Sequence, residues 1–314
     1  MKISIIGIGA IGGYIAAHLL KHHQNQVQLL VKTDSTLSTS TPLFVTGLTQ
    51  LSATIDEVIY DTHQLNGDVI FVTTKSTAND TLFKSLSHLK HKIFIILQNG
   101  IGAEAKLAKY IDKSNTIIGA ISNIKVTKGK QIGEVVLHSH FRNLVYAVVQ
   151  PSQPPLQQQN KLAFLPTLFK SIFNDVHALK NIYQVRFPKL MINIACNAAS
   201  IIHDKTFYGL AHNQKSRKMI HSLSEEVRQV SQCYGVTIKA NMMEDIINSF
   251  NAPQYKDVYF SMKQDFDSGL PLEMKYVFYH FIQLAEKANI PVPATRHAIL
   301  ELRNRLQTRD SAPL

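Results

Sequence analysis

At 314 residues, 45% hydrophobic and carrying both signs of charge, the chain is long enough for two domains with separate cores. Its formal charge of +11 is spread evenly, with no Lys/Arg run or basic tail, which argues against nucleic-acid binding and favours anionic small molecules. Two cysteines, Cys196 and Cys233, point to reduced thiols rather than a disulfide framework, and no metal is expected.

The segment from Ile3 to Leu20 carries no charge and could pass for a signal peptide. Gly7, Gly9, Gly12 and Gly13 interrupt it, no polar cleavage region follows, and no other stretch approaches the ~18 apolar residues of a spanning helix. The reading is a cytoplasmic protein with no membrane partner.

Lys2 to Ile6 is a β-branched run that predicts a strand. It runs into Gly7-Ile8-Gly9-Ala10-Ile11-Gly12, then a helical pattern from Gly13 to Lys21 and a second strand from Val27 to Val31. Strand, glycine turn, helix and strand within about thirty residues is the setting in which GxGxxG marks a dinucleotide site. Gly7 permits the tight turn, Gly9 lets the backbone approach a pyrophosphate, and Gly12 lets the helix pack on the strand. The helix-start N–H groups then hold the phosphates. The competing reading is glycines that only pack an apolar helix.

The second strand ends in Lys32, where an NAD-preferring site usually places an acid for the ribose 2′-OH. A cation there pairs with a 2′-phosphate, so the cofactor is read as NADPH/NADP, with Asp34 as the residue opposing that reading. Val69–Thr73 and Ile93–Leu97 are apolar strand candidates that end in Thr73-Thr74-Lys75-Ser76 and Gln98-Asn99-Gly100-Ile101-Gly102. Ligands of open α/β sheets sit beyond the strands' carboxyl ends, which puts Lys75 and Asn99 beside nicotinamide and substrate. Solvated loop residues are the alternative. Thr116–Ser122 reads as another parallel strand, and Gly133–Ser139 with Asn143–Val149 as an antiparallel hairpin finishing the sheet. A Pro/Gln-rich connector spans 150–159, and Lys161–Phe173 reads as a helix of the first domain.

From Asn181 onward strand signals vanish. The stretch Arg186–His203 predicts a buried helix with Pro188 at its first position. Lys189, Asn193 and Asn197 recur every four residues and so share one face. Buried polar groups of this kind either bond to neighbouring backbone or meet a polar ligand; the helix by itself leaves both open. Ser216–Tyr234, Lys239–Phe250, Met274–Asn289 and Thr295–Leu306 are further helices. Between them lie Ser261 and Glu273, which taken alone are ordinary capping and surface residues. The expected architecture is α/β: a dinucleotide-binding domain over 1–180 and an all-α domain over 181–314.

Taken together, GIGAIGG, the cation after the second strand, VTTK, QNG, KLMINIACN, SMKQD and a Glu twelve beyond the Ser resemble the ketopantoate reductase (2-dehydropantoate 2-reductase) family, from about Met1 to Arg303. The resemblance implies a Rossmann domain joined to an all-α domain, with the site in the cleft between them. It implies NADPH-dependent reduction of 2-dehydropantoate to (R)-pantoate, on the route to pantothenate and coenzyme A. Lys189 matches the catalytic lysine, and Glu273 the acid that works with lysine and cofactor. Asn193, Asn197 and Ser261 match substrate-binding positions. Gly7, Ile8, Gly9, Ala10, Ile11, Gly12, Lys32, Lys75 and Asn99 match the cofactor side, Asn99 also reaching the substrate. In this picture Glu273 holds Lys189 charged and oriented.

Some positions depart from the family. Two and six residues beyond Glu273, where Asp and Gly are usual, stand Lys275 and Tyr279, and the Trp usual before the lysine is absent. A Tyr279 ring packed on the Lys189 helix would need room from Ala195, Ala198 and Ala199. The alternatives are a paralogous NADPH-dependent reductase of another branched 2-oxo acid, and a non-catalytic dinucleotide-responsive binding protein. Intact Lys189, Asn193, Asn197, Ser261 and Glu273 argue against the latter. The expected partner is a small 2-oxo acid, and homodimerisation is left open.

Overall fold

The computed structural model describes residues 1–21, 25–150 and 160–311. The chain divides into two compact units, Met1–Gln98 with Ala103–Val185, and Asn99–Gly102 with Arg186–Leu314.

The first unit is built on an eight-stranded sheet. Its strands are β1 (Lys2–Ile6), β2 (Gln26–Leu30), β5 (Glu57–Ile59), β6 (Val69–Val72), β7 (Ile93–Ile96), β8 (Thr116–Asn123), β11 (Asn143–Gln150) and β12 (Asp175–Ala178). The order is β12-β11-β8-β7-β6-β1-β2-β5, parallel throughout except where β11 runs antiparallel to β8. Every residue of β6 and β7 is buried, as their unbroken Val-Ile-Phe-Val and Ile-Phe-Ile-Ile runs require of strands covered on both faces. Chain order reverses between β1 and β6, which makes their carboxyl ends the topological switch point of the sheet. Helix α1 (Ala10–Lys21) follows β1, and α2 (Asn79–Ser85), α3 (Ala103–Leu107) and α4 (Leu165–Lys170) are further helices of this unit. Phe169 of α4 packs edge-on against Tyr146 at 4.9 Å and Phe71 at 6.4 Å, closing one face of the sheet.

A second sheet was not expected. Its strands β3 (Leu43–Gly47), β4 (Leu51–Ala53), β9 (Val126–Lys128) and β10 (Glu134–Leu137) are ordered β4-β3-β10-β9. α1 packs against all four of these strands as well as β1 and β2. That explains a helix buried over Gly12–Ala17, Leu19 and Leu20, since a helix apolar all round needs cover on more than one side. The hairpin expected from Gly133 to Val149 does not form. β10 instead pairs parallel with β3 and antiparallel with β9, while β11 joins the main sheet. Alternation identified both strands, but each turns its apolar residues to a different layer: Val135 and Leu137 of β10 are buried in the small sheet, Leu144 and Tyr146 of β11 in the large one. The Pro/Gln-rich connector, from 151 to 159, lies outside the described residues.

The second unit has no strand among its described residues. Its elements are α5 (Ile182–His203), α6 (Phe207–His212), α7 (Gln214–Cys233), α8 (Met242–Ser249), α9 (Ser261–Asp267), a π-helical turn at Lys275–Tyr279, α10 (His280–Lys287) and α11 (Pro293–Asp310). α5 starts six residues before Pro188, so that proline is interior rather than first. The true start is Asn181, whose Oδ1 accepts the Gln184 N–H at 2.9 Å, while the Gln184 Oε1 accepts from Lys180 N at 3.2 Å. Because Pro188 has no N–H to give, only one rung of the ladder is lost. The first turn of α5 groups with the first unit, Val185 packing with Ile121 and Ala147. Glu226 of α7 anchors α11: its carboxylate accepts from Ala294 N at 2.6 Å, and from Thr295 N and Oγ1 at 2.8 and 2.7 Å.

Candidate active site

β1 breaks at Gly7, whose φ of +94° is open to glycine at little cost. The turn is held from β6: the Thr73 hydroxyl lies 2.9 Å from Ile6 O and 2.7 Å from Gly7 O, to which it donates. A Cβ at Gly7 would stand 2.6 Å from Thr74 Cγ2 and 2.7 Å from Thr74 N; one at Gly12 would stand 2.1 Å from Gly7 O. Those two glycines are therefore packing requirements. Gly13 is a third, since a Cβ there would meet Val135 of the small sheet at 2.8 Å. Gly9 differs, because nothing lies within 4 Å of where its Cβ would be. Open space at Gly9 beside the first N–H groups of α1, which have no acceptor in their own helix, is the cradle a pyrophosphate requires. The residues present fit a dinucleotide.

Two expected cofactor residues around this turn lie at the surface. Lys32 and Asp34 are both exposed, in a turn closed by Ser35 N to Lys32 O at 3.0 Å just after β2. Lys75 is exposed just beyond Thr74. Gln98, by contrast, is buried and acts as scaffold. Its Nε2 donates to Thr74 O at 3.0 Å and to Asn79 Oδ1 at 2.7 Å, and its Oε1 accepts from Asn79 Nδ2 at 3.0 Å. This amide pair fixes Thr74, and through it the wall against Gly7. Gln98 and Asn79 carry no periodic signal, which is why the sequence reading missed them.

In the second unit, α5 places Lys189, Asn193 and Asn197 on one face, and their surroundings differ. Lys189 is half-buried, and burial lowers its pKa, opposed only by the nearby Cys196 thiol. Cys196, two turns beyond Lys189, is itself pushed up to about 12, chiefly by burial, and stays a neutral thiol. Asn193 is buried and its Nδ2 has no hydrogen-bond partner. Asn197 is committed to the protein: its Nδ2 donates to Asn193 O at 2.8 Å and its Oδ1 accepts from Met262 N at 3.3 Å. Backbone bonding thus describes Asn197, while the Asn193 amide nitrogen has no partner among the described residues.

The Met262 contact brings the start of α9 onto α5. Ser261, exposed at the first position of α9, is set beside Asn197 by that one bond. Phe260 just before it stacks on Phe207 at 3.9 Å, and Phe207 also packs with Phe250 and Tyr255. The lysine of the same motif, Lys263, is buried between Asp204, at 2.8 Å, and Asp267, which together hold its pKa up against the lowering effect of burial. It is a structural cation.

Glu273 is buried two residues before the π-turn. It forms no ion pair with Lys189, and no carboxylate acts on the lysine's pKa. Burial governs the Lys189 ammonium, with Cys196 opposing it, and Glu273 is not among the groups that shift it. Lys275 and Tyr279 bound the π-turn and are both exposed, Tyr279 at 39%. Tyr279 needs no room from Ala195, Ala198 or Ala199. The Asn99–Gly102 segment packs here too, with Ile101 N donating to Tyr276 O at 2.9 Å. Asn99 is half-buried and makes no side-chain hydrogen bond among the described residues. No cluster of metal-ligating side chains occurs among the described residues, and no helix there is long and apolar enough to cross a membrane.

Against known proteins, residues 3–147 match the family model described as Ketopantoate reductase PanE/ApbA, and residues 181–306 match Ketopantoate reductase PanE/ApbA C terminal. The 2-dehydropantoate 2-reductase of Nostoc sp. is 24% identical over 302 residues, covering 93% of this chain and 91% of that one. The crystal structure of 2-dehydropantoate 2-reductase from Geobacter metallireducens matches with a TM-score of 0.85 at 21% identity, covering 97% of this chain and 99% of the other. A D-mandelate dehydrogenase solved with NADH and anilino(oxo)acetate matches at 0.82 and 18% identity, over 99% and 100% of the two chains. At these identities the structural likeness establishes the fold.

Proposed function

This chain is an oxidoreductase of the ketopantoate reductase family, and from that premise we propose that it reduces 2-dehydropantoate to (R)-pantoate with NADPH, in the cytoplasm, on the route to pantothenate and coenzyme A. In this reading residues 1–180 bind NADP and residues 181–314 hold the substrate. When bound, the nicotinamide supplies a hydride to the C2 carbonyl. The glycine turn and the start of α1 take the pyrophosphate, and Lys32 pairs with the 2′-phosphate. Lys75, Asn99 and Glu273 complete the cofactor side, with Asn99 also turned to substrate.

As the carbonyl oxygen gains charge, the Lys189 ammonium stabilises it and donates the proton. A pKa lowered by burial makes that lysine a better acid than an exposed one. Asn193 Nδ2 offers the substrate a fixed donor, Ser261 its hydroxyl, and Asn197 holds the two in register.

The observation that carries the reading is Asn193. A buried amide N–H left without a partner costs about 1–3 kcal/mol, and a substrate oxygen at that place recovers it. The test is NADPH oxidation with 2-dehydropantoate against a panel of other 2-oxo acids. Specificity is a ratio of kcat/KM values, so any other acid preferred by about tenfold removes 2-dehydropantoate as the substrate while leaving the chemistry.

A further inference from the structure

The loop that carries Asn99 is fixed by a device in the second unit that has no counterpart in the motifs. In an α-helix Tyr276 O would accept the N–H of His280, four residues on. Here the His280 N–H reaches back five residues to Lys275 O, which makes the π-turn and releases the Tyr276 carbonyl. That carbonyl accepts Ile101 N at 2.9 Å. Ile101 O in turn lies 2.8 Å from His280 Nδ1. A carbonyl only accepts, so Nδ1 carries the proton, and both backbone groups of Ile101 are held by residues four apart. The fit is close. A Cβ at Gly100 would stand 2.4 Å from Tyr276 O, and one at Gly102 2.6 Å from His280 Nδ1, with φ of +86° and +94° at the two glycines. The His280 ring is set edge-on to Tyr276 at 4.6 Å.

We propose that His280, with the π-turn before it, is a positioning residue for the reaction: it latches the Ile101 backbone so that the Asn99 carboxamide is presented to the 2-oxo acid. The inference rests on the proposed reductase function. It accounts for two observations at once. A helix gives up regular hydrogen bonding two residues after Glu273, and Asn99 stands half-buried with its amide uncommitted. Energy spent on a strained turn is retained where it fixes functional geometry.

The experiment compares His280→Ala, His280→Asn, Asn99→Ala and the His280→Ala/Asn99→Ala double variant, in the full chain. Four quantities are read: kcat and KM for the 2-oxo acid turned over best, NADPH affinity by fluorescence titration, thermal midpoint, and hydrogen exchange at the Ile101 amide. Loss of one buried hydrogen bond that fixes a substrate ligand predicts a roughly tenfold fall in kcat/KM for His280→Ala, carried mainly by KM for the acid, with NADPH affinity falling no further than in Asn99→Ala. Ile101 should exchange faster. Asn, whose amide nitrogen takes the place of Nδ1, should restore most of the loss. Because His280 acts through Asn99, His280→Ala should add less than about twofold once Asn99 is Ala. Effects that multiply in the double variant overturn the inference, as does faster exchange at Ile101 with kcat/KM unchanged. If the native enzyme reduces no acid of the panel, the functional reading fails separately, and unchanged Ile101 exchange in His280→Ala still refutes the latch.

Discussion

Alanine at Gly9 and at Gly12 should separate the two jobs of the glycine turn. At Gly12 the added methyl would sit 2.1 Å from Gly7 O and 2.5 Å from Thr73 Oγ1, well inside contact distance. Neither neighbour can yield, since Gly7 O belongs to a turn at φ +94° that Thr73 already holds by hydrogen bonds. α1 must therefore lift off β1, and its other side is blocked by Val135 of the small sheet against Gly13. Overpacking of this kind costs about 1–3 kcal/mol. At roughly 2–4 °C per kcal/mol for domains of 150–250 residues, the thermal midpoint falls by several degrees. At Gly9 a methyl meets nothing within 4 Å, so the ligand-free protein should melt as the native one does. It would, however, stand where the pyrophosphate must approach. Losing one charge-assisted backbone hydrogen bond, about 1.5–3 kcal/mol, weakens NADPH roughly 10- to 100-fold. The assays are thermal denaturation without ligand and NADPH fluorescence titration. Gly9→Ala binding NADPH as tightly as the native chain would refute the assignment, and so would equal loss of thermal stability in both variants.

Lys32→Ala should weaken NADPH and leave NADH nearly unchanged; equal losses in a titration of both cofactors would remove the 2′-phosphate role. Lys189→Ala should cut turnover at least ~10²-fold while NADPH still binds. The pH profile follows from the sign of the shift: the acid form donates the proton, so kcat/KM falls as pH rises through the Lys189 pKa, at a pH below the 10.5 of an ordinary lysine. Because folding disfavours that ammonium, its cost is present below the folded pKa and relieved as pH rises to the unfolded value, so Lys189→Met should melt no lower than native at neutral pH. Asn193→Ala should raise KM without loss of stability, since it removes an unpartnered amide, whereas Asn197→Ala should raise KM and also lower the thermal midpoint by orphaning the Met262 N–H. Glu273→Gln should leave the alkaline limb of the pH profile in place, because no carboxylate acts on Lys189.

Local pattern made much of the molecule legible. The parallel core strands and α1 follow from β-branched runs and glycine spacing, and α5, α7, α8, α10 and α11 from 3.6-residue periodicity. α6 and α9, at six and seven residues, are too short to show it, and the stretch of α9 reads as a loop. What escaped depended on partners distant in the chain. β3, β4 and β9 are short and half-exposed, so their alternation is weak, and only α1, buried on two sides, hints that a second sheet must exist. The start of α5 was legible in Asn181 and Gln184, three apart, but Pro188 masked it by imitating a first helical position. Gln98, Asn79 and His280 act through hydrogen bonds to residues remote in sequence, and no spacing rule reports those.

The polar stripe of α5 shows why spacing alone under-determines a site. Lys189, Asn193 and Asn197 are equivalent as positions on a helix, yet each is defined by what the rest of the unit brings to it. α9 ends its approach on Asn197, where the carboxamide meets the otherwise unpaired Met262 N–H; that residue becomes scaffold, and Ser261 is carried into place as a consequence. One turn back no backbone arrives, and Asn193 is left as a buried donor with an unfilled valence. A further turn back, Lys189 has a neutral thiol for a neighbour instead of a carboxylate. A carboxylate would stabilise the ammonium and make it a poorer acid, whereas burial beside a thiol keeps the proton available to an oxyanion as its charge develops. On the proposed reading the same face holds a support, a substrate donor and an acid in sequence, and the contact with α9 sets only the first of these.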